Sequence, residues 1–94
     1  MKKFEDVCLG HIEFTNFGSD ITFEIWSAYD GKPVCKIHCN RVSILELKST
    51  LEDEELFGTY VALIKIINDD KNHIITLESG EIFIRVECLN ITIN

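Results

Sequence analysis

Alternation between apolar and polar residues is the strongest pattern in this chain, and it has the period of a β-strand. It is strictest at residues 21–25, where Ile21, Phe23 and Ile25 are separated by polar side chains. Less regular runs of the same kind cover residues 11–15, 34–44, 60–67, 73–77 and 81–93. Turn-forming residues lie between these runs, among them the Asp-Gly pair at 30–31. The pattern therefore predicts six strands joined largely by short turns.

The second half of the chain resembles the first. A shift of 49 positions superimposes residues 31–44 on residues 80–93, and it aligns a glycine, a cysteine and the inward strand positions in one register. The similarity extends over residues 10–44 and 58–93, with residues 45–57 as the connection. Such self-similarity indicates an internal repeat, in which each half is a three-stranded meander.

Six strands of this length cannot bury their apolar faces in one flat sheet. The 94 residues are therefore expected to form a single mainly β domain, a six-stranded antiparallel β-sandwich or a partly open barrel. The two meanders would each supply one half. Within the connection, Ser49 and Glu52 have the spacing of a capping box, which predicts a short helix or helical turn at about 49–57.

The inward phase slips within both long strands of the repeat. Cys39 and Val42 are both expected to face the core although three positions separate them, and the same holds for Cys88 and Ile91. One extra residue in each strand would produce this slip, so the pattern predicts a β-bulge in each.

Charge and composition argue against several classes of function and location. The chain is 46% hydrophobic and 27% charged, and its formal charge of −7 leaves no basic face for nucleic acid. Acids at Glu5 and Asp6 interrupt the position where a signal peptide needs an apolar run. No stretch approaches the length of a membrane span. We therefore expect a cytoplasmic protein that binds neither nucleic acid nor membrane.

The cysteines are the residues most suggestive of chemistry. On a strand, Cys35 and Cys39 would lie about 13 Å apart on one face, with His38 on the other, too far apart for a local metal site or disulfide. Cys39 and Cys88 are related by the repeat and are expected to pack in the core as small apolar side chains. A disulfide between these two, or a metal site to which Cys8 or His11 contributes, stays open as an alternative. We predict no cofactor and no metal.

Catalysis has no sequence support. His11, His38 and His73 are all out of phase with the inward positions of their strands, which predicts surface histidines. No nucleophile elbow, zinc-binding, phosphate-binding or dinucleotide-binding motif occurs in the chain. The protein is therefore not predicted to be an enzyme.

Trp26 is the most promising candidate for a functional residue, because the phase of its strand points it outward. Together with Tyr29 and Glu24 it could anchor a partner protein, since Trp and Tyr dominate interface hot spots. The acidic run Glu52, Asp53, Glu54 and Glu55 could surround such a site and steer a basic partner. The structural alternatives are a Trp that covers a sheet edge or lies under the 45–57 connection, and an acidic run that is a solvated helix face.

The stretch HIEFTNFGSDITFEIWSAYDGKPVCKIHCNRVSI resembles the small bacterial β-sandwich immunity proteins of polymorphic toxin systems. This resemblance implies a non-enzymatic protein-binding module that neutralises a cognate toxin through an acidic surface. The alternative is a regulatory domain that binds or sequesters a small molecule between its two halves. Exposed strand edges and a duplicated sheet are also compatible with a homodimer.

Overall fold

The computed structural model describes residues 2–49, 59–68, 71–80 and 82–94. They form six strands and one 3-10 turn at Asn16–Gly18. The strands are β1 (Lys2–Thr15), β2 (Asp20–Ser27), β3 (Pro33–Ser49), β4 (Thr59–Asn68), β5 (His73–Glu78) and β6 (Ile82–Ile93). All neighbouring strands are antiparallel, and the order β1-β2-β3-β6-β5-β4 closes into a ring. The predicted mainly β fold with six antiparallel strands is confirmed, and its sheet forms a closed barrel.

The long strands take part in both halves of this barrel. The first part of β1 pairs with β4 and its later part with β2. In the same way, β6 pairs with β5 over its first part, whereas its last residues pair with β3 alone. Strands that pass from one layer to the other in this way are typical of orthogonally packed sheets. The two meanders are therefore joined by strand pairing at β1·β4 and at β3·β6.

The slip of inward phase predicted for β3 and β6 is present in both strands. Cys39 and Cys88 are fully buried, and Val42 and Ile91 pack against the same core. Cys39 pairs with Ile91 and Val42 with Cys88, so the two slips lie opposite each other. The register against β6 also shifts between Val42 and Ile44, which identifies a β-bulge in β3. The bulge predicted in β6 is not found, because the paired residues of β6 follow one another without an extra residue in both of its ladders.

Positive φ angles occur within β3 and β1, at positions where the inward phase of the strand slips. Arg41, within the β3 slip, has a φ of 55°, and Asp6 in β1 has a φ of 54°. On either side of Asp6, Phe4 and Val7 both contact the core, so the inward phase of β1 slips there as well. A non-glycine residue in this region leaves the extended conformation, and the side-chain alternation of its strand changes with it.

The barrel interior is filled by apolar side chains from all six strands, and no polar side chain is buried among the residues described. The buried residues are Val7, Leu9, Ile21, Phe23, Ile25, Ile37, Cys39, Val61, Ile64, Ile66, Ile75, Leu77, Ile82, Ile84, Val86 and Cys88. Branched side chains suit such a pleated and tightly filled space. This core is what holds the two halves of the chain together.

Cys39 and Cys88 meet within this core as free thiols. A hydrogen bond to Cys88 and burial raise the pKa of the Cys39 thiol far above its usual value. The Cys88 thiol in turn donates to the backbone oxygen of Asn90, at an Sγ···O distance of 3.4 Å. Both cysteines therefore pack inside the barrel, as the sequence predicts, and each satisfies its weak polar group locally.

Asp20 supports the irregular part of β3. Its carboxylate accepts hydrogen bonds from the Asn16 side-chain amide and from the backbone N–H of Arg41, the latter at 3.1 Å. The backbone N–H of Val42 also donates to the oxygen of Ser19, at 2.7 Å. The hydrogen bonds from Asn16 and Arg41 hold the pKa of the Asp20 carboxyl below its usual value. The start of β2 thus fixes the conformation of β3 at its bend.

The lowered pKa of Asp20 predicts an acid-sensitive contribution to stability. A carboxyl whose folded-state pKa is depressed stabilises the fold above its unfolded pKa, here 3.8, and loses that contribution as the pH falls through the folded value. We expect Asp20→Asn to remove this dependence, as measured by urea unfolding from about pH 7 to about pH 3. Glu13→Gln, on the exposed face of β1, is the control. Identical pH profiles for the two variants would contradict the assignment.

Two strands are longer than the sequence pattern predicts. β1 begins at Lys2 instead of at residue 11, and β3 continues to Ser49, so residues 45–49 of the predicted connection are strand. Ser49, the expected start of the short helix, is the last residue of β3. The remainder of the predicted helical segment lies outside the described residues.

The hairpins β2–β3 and β5–β6 have equivalent registers. Phe23 pairs with Ile37 in the first, and Ile75 pairs with Val86 in the second. The 49-residue shift of the sequence repeat takes Ile37 onto Val86, and a shift of 52 positions takes Phe23 onto Ile75. The two hairpins are therefore built alike, while an internal repeat over residues 10–44 and 58–93 stays a prediction.

Candidate functional site

Aromatic side chains lie on the outer surface of the barrel where β2, β1 and β4 meet. Trp26 of β2 is paired with Cys8 of β1, which is paired on its other side with Tyr60 of β4. The residues next to them along each strand, such as Ile25 and Val61, are buried. Because side chains alternate along a strand, these three point away from the core. The pairing of β1 with β4 thus brings Tyr60 into one row with Trp26.

Trp26 is fixed by two contacts. Its indole lies directly over Gly10, where a Cβ atom would come within 2.6 Å of the indole Cδ2 and 2.7 Å of Nε1. Its Nε1–H donates to a carboxylate oxygen of Glu24 at 2.7 Å. The register of β1 against β2 shifts between Leu9 and His11, on either side of this glycine. An aromatic ring that covers a strand glycine in this way compensates for the missing side chain.

Tyr60 is held by Asp6. Its hydroxyl donates to the Asp6 carboxylate. This hydrogen bond and, to a smaller extent, burial raise the pKa of Tyr60 above its usual value, and Tyr29 and Cys8 add to the shift. Asp6, which has a positive φ, thus supplies the acceptor for the Tyr60 hydroxyl.

Tyr29 lies in the β2–β3 turn, three residues after Trp26. The turn is held by hydrogen bonds between Ser27 and Lys32 at 2.8 Å and between Gly31 and Ser27 at 3.0 Å. Gly31 has a φ of 71°, a conformation that glycine adopts readily. The Tyr29 side chain is 86% exposed. An exposed tyrosine on a hydrogen-bonded turn is available for contact with another molecule.

We call Trp26, Tyr29 and Tyr60, with the carboxylates of Asp6 and Glu24, the aromatic patch. Its two carboxylates accept hydrogen bonds from aromatic donors, which fixes the position of negative charge beside the rings. Lysines are also close, because Lys36 is paired with Glu24 across β2 and β3 and Lys32 follows the turn of Tyr29. Such a surface can contact apolar groups through its rings and cations through its rings and carboxylates.

Of the residues singled out in the sequence, the structure brings together Trp26 and Glu24, and Tyr29 lies exposed in the turn that follows β2. Trp26 points outward as predicted, and what it covers is Gly10. The predicted acidic run, Glu52, Asp53, Glu54 and Glu55, lies outside the described residues. Sequence reasoning missed Tyr60 and Asp6, because they are distant in the chain and only the β1·β4 register places them beside the other members.

The histidines occupy other positions on the surface. His38 interacts at both ring nitrogens, with Thr22 Oγ1 at 3.0 Å from Nδ1 and with Asn94 Nδ2 at 3.0 Å from Nε2. His73 Nδ1 lies 2.7 Å from Asn68 Oδ1. The ring of His38 is thus held between two strands, where it connects β2 to the end of β6.

The described part of the chain also holds a surface groove, and it has no cluster of metal-binding side chains. There, no three His, Cys, Asp or Glu side chains are grouped so that they could hold a metal ion. An open groove of about 410 Å³ lies by the β5–β6 turn, lined by Leu63, Glu78, Ser79, Gly80 and Phe83. It is on the outside of the barrel, away from the space between the two halves, which the core fills. None of the described helical segments is long and apolar enough to cross a membrane.

Comparisons with known proteins place the chain in a family. Residues 2–94 match a protein-family model described only as "-like". The chain belongs to this family over nearly its whole length. No curated protein matches the sequence.

A solved structure from Neisseria gonorrhoeae, described as an uncharacterized protein, shares the architecture. It is 22% identical in sequence and superimposes with a TM-score of 0.86. The match covers 99% of this chain and 95% of that one. The fold of this chain therefore recurs, over almost its whole length, in another protein of similar chain length.

Proposed function

We propose that this protein is a non-enzymatic binding module that uses the aromatic patch to hold a basic segment of a partner protein. The observation that carries the proposal is the row of Trp26 and Tyr60 across β2, β1 and β4, with the exposed Tyr29 three residues after Trp26 in the adjoining turn. Trp and Tyr are enriched at interface hot spots because they combine large apolar area with a polar tip.

Two rings of the aromatic patch are already held in place in the unbound protein. Trp26 lies on Gly10 and is tied to Glu24, and Tyr60 is tied to Asp6, so both rings are positioned before a partner arrives. Side chains that are already ordered lose less conformational entropy on association.

Charge favours a basic partner. The chain carries a formal charge of −7, and Asp6 and Glu24 place carboxylates within the patch itself. A lysine or arginine side chain can lie against an aromatic face while its charge reaches a carboxylate. Long-range attraction between an acidic protein and a basic partner also speeds their encounter.

Neutralisation of a toxin is the most specific form of this proposal. It is motivated by the resemblance of residues 11–44 to small immunity proteins and by the acidic charge of the chain. In this form the product of the neighbouring gene inhibits growth when expressed alone and is harmless when this protein is coexpressed. A neighbouring product that does not inhibit growth would count against the toxin form and leave the binding module to be tested separately.

Tyr29→Ala is expected to weaken binding of a basic segment about tenfold or more, because truncation of a hot-spot residue typically costs that much. The probe is an oligoarginine peptide, titrated into isotope-labelled protein and followed through the Trp26 indole N–H and neighbouring amides by NMR. Tyr29 lies on a turn and packs on nothing in the core, so the variant should remain as stable as the wild type.

Phe17→Ala is the matched control, since Phe17 is also a fully exposed aromatic residue but lies on the 3-10 turn at the other end of β2. It should bind the peptide like the wild type. An oligoglutamate peptide of equal length should give no shifts at the patch. Peptide-induced shifts that avoid Trp26, or that are equal in the two alanine variants, would refute the site.

A further inference from the structure

The second half of β3 has one edge that no described strand covers. Residues 44–49 pair with β6 on one side, from Ile44 with Glu87 to Ser49 with Ile82. On the other side, the pairing of β2 with β3 reaches only from Pro33 to Cys39. Within the described ranges, residues 44–49 therefore present unpaired backbone groups, and we call this segment the β3 edge. Such an edge is a template for a further strand.

Apolar side chains are left half-exposed along the β3 edge. Leu45 is paired with Val86 and Leu47 with Ile84, and directly paired residues point to the same face of a sheet. Val86 and Ile84 are fully buried, yet Leu45 is 44% exposed and Leu47 is 47% exposed. Leu45 and Leu47 thus belong to the inner face of the barrel but are not fully covered by it. A strand added at this edge would bury them further.

The order of charges along the β3 edge identifies the added strand. Glu46 and Lys48 point to the outer face on either side of Leu47. If a second copy pairs antiparallel with its own Leu47 opposite Leu47, each Glu46 lies directly opposite the Lys48 of the other copy. Opposite charges in this position stabilise a sheet. Pairing centred on Glu46 or on Lys48 would instead place like charges opposite each other.

We propose that this protein forms a two-fold symmetric homodimer by antiparallel pairing of two β3 edges centred on Leu47. The contact is isologous, because each copy contributes the same residues to it. Two Glu46–Lys48 pairs form on the outer face, and the leucines meet on the inner face. The β3–β6 ladders of the two barrels become parts of one continuous sheet. This assembly is independent of the aromatic patch, which lies on β1, β2 and β4.

Sedimentation equilibrium of the full chain over a concentration series tests the proposal. The wild type should approach twice its chain mass of 10.8 kDa as the concentration rises. Lys48→Glu places two acids opposite each other at both symmetry-related positions, and Glu46→Lys does the same with two bases. Each variant should weaken dimerisation about tenfold or more, since both pairs change from attractive to repulsive. Lys65→Glu, on β4, is a charge-matched control and should dimerise normally.

The double variant Glu46→Lys/Lys48→Glu decides the register. It restores opposite charges across the proposed contact, so its dimer should recover. Glu46 also lies 3.8 Å from Arg85 of its own chain, and the double variant keeps that contact repulsive, so only the contact between copies explains a recovery. Circular dichroism checks that each variant is folded, and Lys48→Glu decides alone if Glu46→Lys does not fold. The proposal would be overturned if the wild type stayed monomeric at millimolar concentration. It would also be overturned if the single variants dimerised as strongly as the wild type, or if the double variant stayed dissociated.

Discussion

Replacing Phe23 by alanine is expected to lower the free energy of unfolding by about 3–5 kcal/mol. Phe23 is fully buried at the centre of β2 and is among the largest side chains in the barrel. Its strand is paired with β1 through Ile12 and with β3 through Ile37, so the surrounding backbone is fixed on both sides. A space opened in such a closed ring collapses poorly, and the cost of the lost contacts is added to the cost of the cavity.

This loss would be a large part of the total stability, because the free energy of unfolding of a protein domain is typically about 5–15 kcal/mol. Urea unfolding monitored by far-ultraviolet circular dichroism measures it. Phe17→Ala removes the same atoms from a fully exposed position and should change stability by less than about 0.5 kcal/mol. Phe23→Leu, which keeps most of the volume, should lie between the two. Equal effects at positions 23 and 17 would contradict the assignment of Phe23 to the core.

Phe23 also shows how far the sequence alone determines the fold. Its strand alternates strictly, with Ile21 and Ile25 on the same face, and all three side chains are buried as that pattern predicts. The slip between Cys39 and Val42 was equally readable from the gap of three between inward positions, although the register shift itself lies one step later, between Val42 and Ile44. In these cases local alternation is enough to predict which side chains face the core, because each strand buries only one face.

The closure of the barrel could not be predicted in this way. It depends on β1 pairing with β4 and β3 with β6, contacts between residues far apart in the chain. The first part of β1 also lacks simple alternation, since its phase slips near Asp6 and its register shifts beside Gly10. A strand with two irregularities in so short a span has no clear period of two, so residues 2–10 did not resemble a strand.

The aromatic patch was predictable only in part for the same reason. The outward position of Trp26 follows from the phase of β2, and the exposure of Tyr29 follows from its place in a turn. The contact of Tyr60 with Asp6 joins residues that are 54 positions apart. It depends on the β1·β4 register, which no local pattern encodes.

Gly10→Ala is expected to destabilise the protein by about 1–3 kcal/mol, although a methyl group is the smallest side chain that could be added. The new Cβ would lie 2.6 Å from Trp26 Cδ2, far inside van der Waals contact. The indole must therefore lift away from β1, which breaks its hydrogen bond to Glu24 and exposes apolar surface. The variant should also show Trp26 fluorescence shifted toward that of a solvent-exposed indole. If the proposed function holds, it should bind the oligoarginine probe more weakly than the wild type.

A double-mutant cycle with Trp26→Ala separates this clash from a general loss of strand stability. Trp26→Ala removes the ring that the new methyl group meets, so Gly10→Ala should cost little in that background. The two substitutions should then be non-additive by about 0.5–3 kcal/mol, the range found for residues in contact. Trp26→Ala alone should also destabilise the protein, because it uncovers Gly10 and leaves Glu24 without its indole donor. Additive effects would mean that the destabilisation by Gly10→Ala arises from the β1 backbone itself. They would contradict the role of Trp26 in covering Gly10.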